Sequence, residues 1–143
     1  MNRLGALAAG IGAAVSLSGC ASLGLRQAAA PECPAGQERL RMAQIFFGRD
    51  MPGAKQVSND AFRKFVDEEL TPRFPHGLTI LDGGGQWRGA ENRLIREASK
   101  VVMIVLPKDE GAMGRIADVQ AAYKIRFSQE SVLTVTQPAC VSF

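Results

Sequence analysis

The chain has 143 residues, 46% hydrophobic and 22% charged, which is one domain's worth of sequence with enough apolar content for a modest core. That composition excludes collagen, coiled-coil arrays and intrinsic disorder. Seventeen Lys and Arg against fourteen Asp and Glu leave a net charge of +3, too mild and too evenly spread to argue for nucleic acid as a partner.

Arg3 gives a positive start, and residues 4–17 are all apolar or small. This run falls short of the roughly 20 apolar residues a transmembrane helix needs, but it suits the apolar core of an export signal. It ends in Leu17-Ser18-Gly19-Cys20, which resembles the bacterial lipobox, in which small residues admit the signal peptidase and the cysteine thiol receives a diacylglycerol. The expectation is a lipoprotein signal peptide over residues 1–19 and lipidation at Cys20. The other reading is ordinary secretion with cleavage near Ala28-Ala29-Ala30. Acylating the new terminus as well gives more chains than the two signals that stable anchoring requires. Ala21, rather than Asp, after the lipid cysteine leans to the outer membrane. The expected location is thus the bacterial cell envelope, anchored to the membrane and facing the periplasm.

With Cys20 used by lipid, Cys33 and Cys140 are left. In an oxidising compartment they suggest a disulfide; two free thiols are the alternative. Residues 20–37, Ala-rich and carrying Pro31, Pro34 and Gly36, read as a flexible tether. The ordered domain is expected over 38–143.

A first strand is expected over 39–48, with Leu40, Met42, Ile45, Phe46 and Phe47, and then a loop to Val57. A first helix follows, with Ser58 as N-cap and Asp60 in its first turn. Phe62, Phe65, Val66 and Leu70 recur in it at helical spacing, and Pro72 ends it. The second strand is expected from Leu78 to Leu81, running on towards Trp87, with Gly83-Gly84-Gly85 interrupting it as a bulge or bend. The third is the apolar run 100–106, extended back through Leu94 and Ile95. Asp109 and Glu110 open a second helix with Ile116, Val119, Tyr123 and Phe127 on one face. A fourth strand alternates over 131–136.

The order β-α-β-β-α-β implies an α+β, ferredoxin-like fold: a four-stranded antiparallel sheet in order 4-1-3-2 with two helices on one face. In that topology Cys33 and Cys140 emerge at the same sheet end. Strands one and three are apolar on both faces, so the face without helices needs a cover. A second copy of the chain, as in a dimeric α+β barrel, is the simplest; a ligand pocket or the folded-back tether would also serve.

Thr71-Pro72-Arg73-Phe74-Pro75, Gly77-Leu78-Thr79 and Gly85-Gln86-Trp87-Arg88 resemble a bacterial family, domain-of-unknown-function family 3574. So do Arg96-Glu97, Ser99-Lys100, Tyr123-Lys124, Arg126-Phe127 and Gln129-Glu130-Ser131-Val132. The similarity covers roughly residues 44–143. It implies exported, often lipoprotein-like proteins with no established activity. His76 stands where the family pattern does not require histidine.

The chain has one histidine, no CxxC pair and no HExxH, so neither a metal site nor a Ser-His-acid triad is indicated, and no cofactor is implied. His76 reads as an exposed turn residue. The three glycines lack the Lys-Ser/Thr of a phosphate loop. Asp67-Glu68-Glu69 reads as a solvated helix face. What is left is one sheet edge, where strands one and two end and strands three and four begin. Trp87, Glu97, Gln129 and Glu130 are expected there, with Arg126 just before, as candidate ligand-binding residues. Each also has a plain alternative, in core or dimer packing for Trp87 and in ion pairing or loop capping for the others. The functional expectation is a non-catalytic lipoprotein that binds a small-molecule ligand or a partner. The alternative is a small cofactor-free enzyme, on a dimeric α+β barrel, acting on a hydrophobic molecule.

Overall fold

A computed structural model describes residues 32–88 and 91–143. Residues 1–19, Cys20 and most of the expected tether lie outside the described residues. Glu32–Phe143 forms one compact unit.

Its frame is a four-stranded antiparallel sheet of β1 (Glu38–Gly48), β4 (Thr79–Arg88), β5 (Leu94–Leu106) and β6 (Leu133–Val141), in the order β4-β5-β1-β6. Two helices accompany it, α1 (Asn59–Phe65) and α2 (Ala112–Phe127). Side chains alternate across a strand, and this alternation divides β1 cleanly. Ala43, Ile45 and Phe47 are fully buried; Met42, Gln44 and Phe46 on the other side are only partly so. Across the ladder, Val102, Ile104 and Leu106 of β5 share the buried side. Phe62 and Phe65 of α1 and Ile116, Val119, Tyr123 and Phe127 of α2 close this core. Phe47 meets the rings of Phe62, Phe65 and Tyr123 at centroid distances of 5.6, 5.8 and 4.6 Å, in the edge-on and tilted geometries aromatic pairs prefer.

Ser58 caps α1, its hydroxyl accepting from the Ala61 amide at 3.1 Å. The helix continues as a single π turn, Val66–Leu70, with Thr71 N donating to Val66 O at 2.9 Å. Both ends of that turn, Val66 and Leu70, are buried.

Four local expectations are corrected. Gly83-Gly84-Gly85 does not break its strand: β4 pairs with β5 without interruption from Thr79↔Met103 to Arg88↔Leu94. These glycines serve close packing, since a Cβ on Gly83 would come within 2.9 Å of Ser99 Oγ and 3.1 Å of Val101 Cγ2. The loop after β1 holds a small ribbon, β2 (Asp50–Met51) paired with β3 (Lys55–Gln56). The second helix starts at Ala112 with Gly111 as its N-cap, not at Asp109 and Glu110; Asp109 instead binds the Arg115 guanidinium at 2.8 and 3.0 Å. Finally, β6 runs to Val141 through Pro138. A proline is tolerated there because β6 is an edge strand, with one side free of ladder bonds.

Cys33 and Cys140 are disulfide-bonded, with Cα atoms 5.5 Å apart. The bond ties the segment before β1 to the end of β6. The opposite end of the sheet, where β1 runs out at Gly48 and β6 begins at Leu133, carries the candidate site.

Candidate functional site

A concavity of about 850 Å³ opens on the helix-free face at that far end. Its floor is Phe46 and Gly48 of β1 with Glu97 and Ser99 of β5. Trp87 and Ile95 wall one side, and Leu133 with Gln129 and Glu130 the other; the β2–β3 ribbon adds Asp50, Met51 and Pro52.

Register sets the geometry. Gly85 stands opposite Glu97, and Trp87 opposite Ile95, so Trp87 and Glu97 are diagonal neighbours on one face, within reach of each other's side chains. Lacking a side chain, Gly85 lets the Trp87 ring lie against its strand, with Cζ3 3.8 Å from where a Cβ would be. Trp87 is 46% exposed and Leu133 60%, so both walls stand open to solvent.

Glu97 is fixed at one oxygen: its Oε1 accepts from the Asp50 amide at 2.9 Å. Gly48 makes the space, because a Cβ there would lie 2.8 Å from Glu97 Cδ and 3.0 Å from Gln129 Oε1. The Gly48 carbonyl is held from the core side by the Tyr123 hydroxyl, which donates to it at 2.8 Å. Burial pushes the Tyr123 phenol pKa up, with Glu97 adding to the rise and Arg49 opposing it, so Tyr123 stays protonated as that donor.

α2 positions the remaining pair. Ser128 ends it in the left-handed conformation, φ 53°, and Gln129 N closes back onto Lys124 O at 3.1 Å, as helix C-termini commonly do. That turn carries Gln129 and Glu130 around the end of the sheet. Gln129 Nε2 donates to Asp50 O, tying the α2–β6 junction to the ribbon.

Trp87, Glu97, Gln129 and Glu130 thus share one cavity. Arg126 is not with them. It projects on the helix side, where its guanidinium binds Glu68 Oε2 at 2.8 Å and Glu69 Oε1 at 3.0 Å and lies 5.3 Å from the Phe65 ring centroid. Glu68 and Glu69, read as a solvated face, are its partners. Sequence reasoning missed Asp50, Gly48 and the Tyr123 hydroxyl as parts of the site. Phe46 carried a signal, as the outward-facing member of the Phe46-Phe47 pair. His76 is exposed in a turn with Gly77 at φ 119°. Among the described residues, no group of three or more His, Cys, Asp or Glu side chains could hold a metal ion.

A family model described as "Protein of unknown function (DUF3574)" matches residues 42–143. Among curated proteins, none matches the chain. Solved structures that share the fold include two of a phage SAM lyase. A phage SAM lyase in complex with S-methyl-5'-thioadenosine superposes with a TM-score of 0.55 at 17% identity, over 79% of this chain and 95% of that one. The same description, phage SAM lyase, in its apo state gives a TM-score of 0.56 at 18% identity, over 80% of this chain and 96% of that one.

Proposed function

The chain belongs to the DUF3574 family, and we propose that it is a lipid-anchored envelope protein whose domain binds a small molecule at the far end of its open sheet face. The observation that carries this reading is the 850 Å³ concavity in which Trp87 and Glu97 of the central hairpin meet Gln129 and Glu130. It has the size and the mixed lining of ligand sites: apolar walls with a few fixed polar groups. The Leu17-Ser18-Gly19-Cys20 sequence and the Cys33–Cys140 bond support export to an oxidising compartment. Cys20 precedes Cys33 in sequence, and Cys33 is bonded to Cys140 at the sheet end opposite the cavity. Ala21 directs the anchor to the outer membrane, with the domain in the periplasm. The fold is read as ferredoxin-like.

A second copy of the chain is proposed to cover the open face. On the outer strands the alternation is inverted: Leu81 and Trp87 of β4 and Leu133 and Val135 of β6 lie on the helix-free side, 42–60% exposed. Asp82, Gln86 and Arg88, with Ile80, and Thr134 and Thr136 lie on the other. Strands of 11, 10, 13 and 9 residues at about 3.3 Å each and about 4.8 Å apart span roughly 700 Å², close to each partner's share of a standard interface. Paired sheets form the dimeric α+β barrel and roof the cavity.

Cells fed an alkyne-tagged fatty acid are expected to label the wild-type chain and not Cys20→Ala; equal labelling of both overturns the anchor. A second reading, a cofactor-free enzyme working in the same cavity, is favoured by the fold shared with phage SAM lyase. Consumption of SAM by the purified chain, lost in Glu97→Gln, would establish it over simple binding.

A further inference from the structure

Resting on that reading, we propose that the cavity takes an organic cation: an ammonium- or sulfonium-type head on an apolar or aromatic body. The cavity is lined by acidic residues from three separate elements, Asp50 in β2, Glu97 in β5 and Glu130 after α2. Asp50 presents its backbone to Glu97 and Gln129, and its carboxylate accepts from Gln56 Nε2 at 2.9 Å, so Glu97 and Glu130 carry the site's charge. It is lined by no Lys, Arg or His, in a chain with 17 basic residues and only 14 acidic ones.

The exclusion of positive charge is built by the fold. Every basic residue adjacent to the cavity in sequence is turned out of it and bound elsewhere. Arg49, next to Asp50, donates from Nε to Val57 O at 2.8 Å. Arg88, next to Trp87, donates to Asn92. Arg96, next to Glu97, binds Gln86 at 3.0 Å. Arg126 is held by Glu68 and Glu69. Lys100, next to Ser99, is buried on the helix side against Asp82, whose carboxyl it holds below the usual carboxylate range. Strand alternation explains Arg88, Arg96 and Lys100 directly, because their neighbours Trp87, Glu97 and Ser99 point to the other face.

These acidic residues form no metal-ligand cluster. They stand instead around an aromatic and aliphatic surface of Trp87, Phe46, Ile95 and Leu133. An ion stripped of water wants a compact ring of oxygens; this site offers a diffuse negative field over a π face, which suits a large, weakly hydrated cation bearing its own apolar surface. Glu97 is the oriented member, anchored through Oε1 on the Asp50 amide.

Trp87 is the chain's only tryptophan, so intrinsic fluorescence reports on the site directly. The full chain in a neutral detergent is titrated with benzyltrimethylammonium, benzyl alcohol and phenylacetate, which share a ring and differ in head charge. The cation is expected to change Trp87 emission saturably, about tenfold more tightly than the alcohol, with phenylacetate weakest. Glu97→Gln is expected to remove most of that preference of cation over alcohol. Glu130→Gln, at an exposed position, should reduce it by a smaller factor. If cation and alcohol bind alike, the charge assignment is overturned and the binding site stands. If none of the three reaches Trp87 at tens of millimolar, the site proposed for this cavity falls and the inference with it.

Discussion

The Glu97 carboxylate rests on Gly48, in the volume a side chain at that position would occupy: a Cβ on Gly48 would lie 2.8 Å from Glu97 Cδ. The neighbour is the tip of a flexible side chain, not backbone, so an alanine there moves the carboxylate and leaves the sheet in place. Gly48→Ala is expected to keep the melting temperature within a few degrees. It is also expected to weaken benzyltrimethylammonium binding as much as Glu97→Gln does. The double variant should bind like either single one, because both changes remove the same group. Wild-type affinity in folded Gly48→Ala would separate Glu97 from binding.

The other side of Gly48 faces the core, and Tyr123 makes its contact there testable by pH. Its phenol pKa is raised by burial above the ordinary 10.0. A raised folded-state pKa means that the native chain holds its proton where the unfolded chain has released it. The associated stability is therefore complete below about pH 10 and is lost as pH rises beyond it. Tyr123 is the chain's only tyrosine, so tyrosinate absorbance near 295 nm has a single source. It should stay absent as pH passes 10 and appear together with loss of tertiary structure. A smooth titration centred on pH 10 in the folded chain would place the hydroxyl in solvent. Tyr123→Phe removes the part-buried hydrogen bond to Gly48 O and should cost about 0.5–1.5 kcal/mol.

The strands and helices are legible in the sequence because apolar spacing reports burial. Ala43, Ile45 and Phe47 alternate as a half-covered strand must, and Phe62, Phe65, Tyr123 and Phe127 recur at helical intervals. The disulfide is legible from chain order, since Cys33 precedes β1 and Cys140 lies at the end of β6. The failures share a cause: they concern which neighbour a residue meets. Gly83 reads as a breaker until Ser99 and Val101 are known to press on it. The end of β6 is hidden by Pro138, which only an edge position permits. Arg126 shows the limit most clearly. Its place near the end of α2 puts it close to the cavity in sequence. Helix phase then turns it towards Glu68 and Glu69, on the far side of the sheet.

The Cys33–Cys140 bond closes a loop with a sequence separation of 107. For loops near that length the chain-entropy model gives about 4.7 kcal/mol, an upper-end figure. Reduction, or Cys140→Ser, is therefore expected to lower the melting temperature by more than ten degrees for a domain this size. The effect is expected in calorimetry with and without reductant at equal protein concentration. An unchanged transition would mean that the tie contributes nothing to the folded state.

The proposed sheet-to-sheet pairing has its own measurement. Sedimentation velocity of the full chain in density-matched detergent should give the mass of two chains. Leu81 and Val135 are 48% and 42% exposed in the single chain, so a charge at either leaves the core untouched. In the paired state it would be buried without a partner. Leu81→Glu and Val135→Glu are expected to sediment as single chains while keeping the disulfide and the helical circular dichroism. A single-chain wild type, or Glu variants that still pair, would remove this face as the interface.

Arg126 separates the structural account from one based on proximity in the sequence. If it belonged to the binding edge, Arg126→Ala would weaken ligand binding at little cost to the fold. The observed contacts say the reverse. The guanidinium bridges α2 to the π turn after α1 through Glu68 and Glu69, and it covers the Phe65 ring at 5.3 Å. It is one-third exposed, so each ion contact is screened and worth about 0.2–1 kcal/mol. The contact over Phe65 adds about 0.5–1 kcal/mol. Arg126→Ala should thus destabilise the domain by about 1–3 kcal/mol in urea unfolding. Benzyltrimethylammonium affinity should stay within twofold of wild type. Lys at this position would keep a charge but lose the fork that reaches both carboxylates, so Arg126→Lys is expected to fall between the two in stability. A large loss of affinity with unchanged stability would put Arg126 at the site after all.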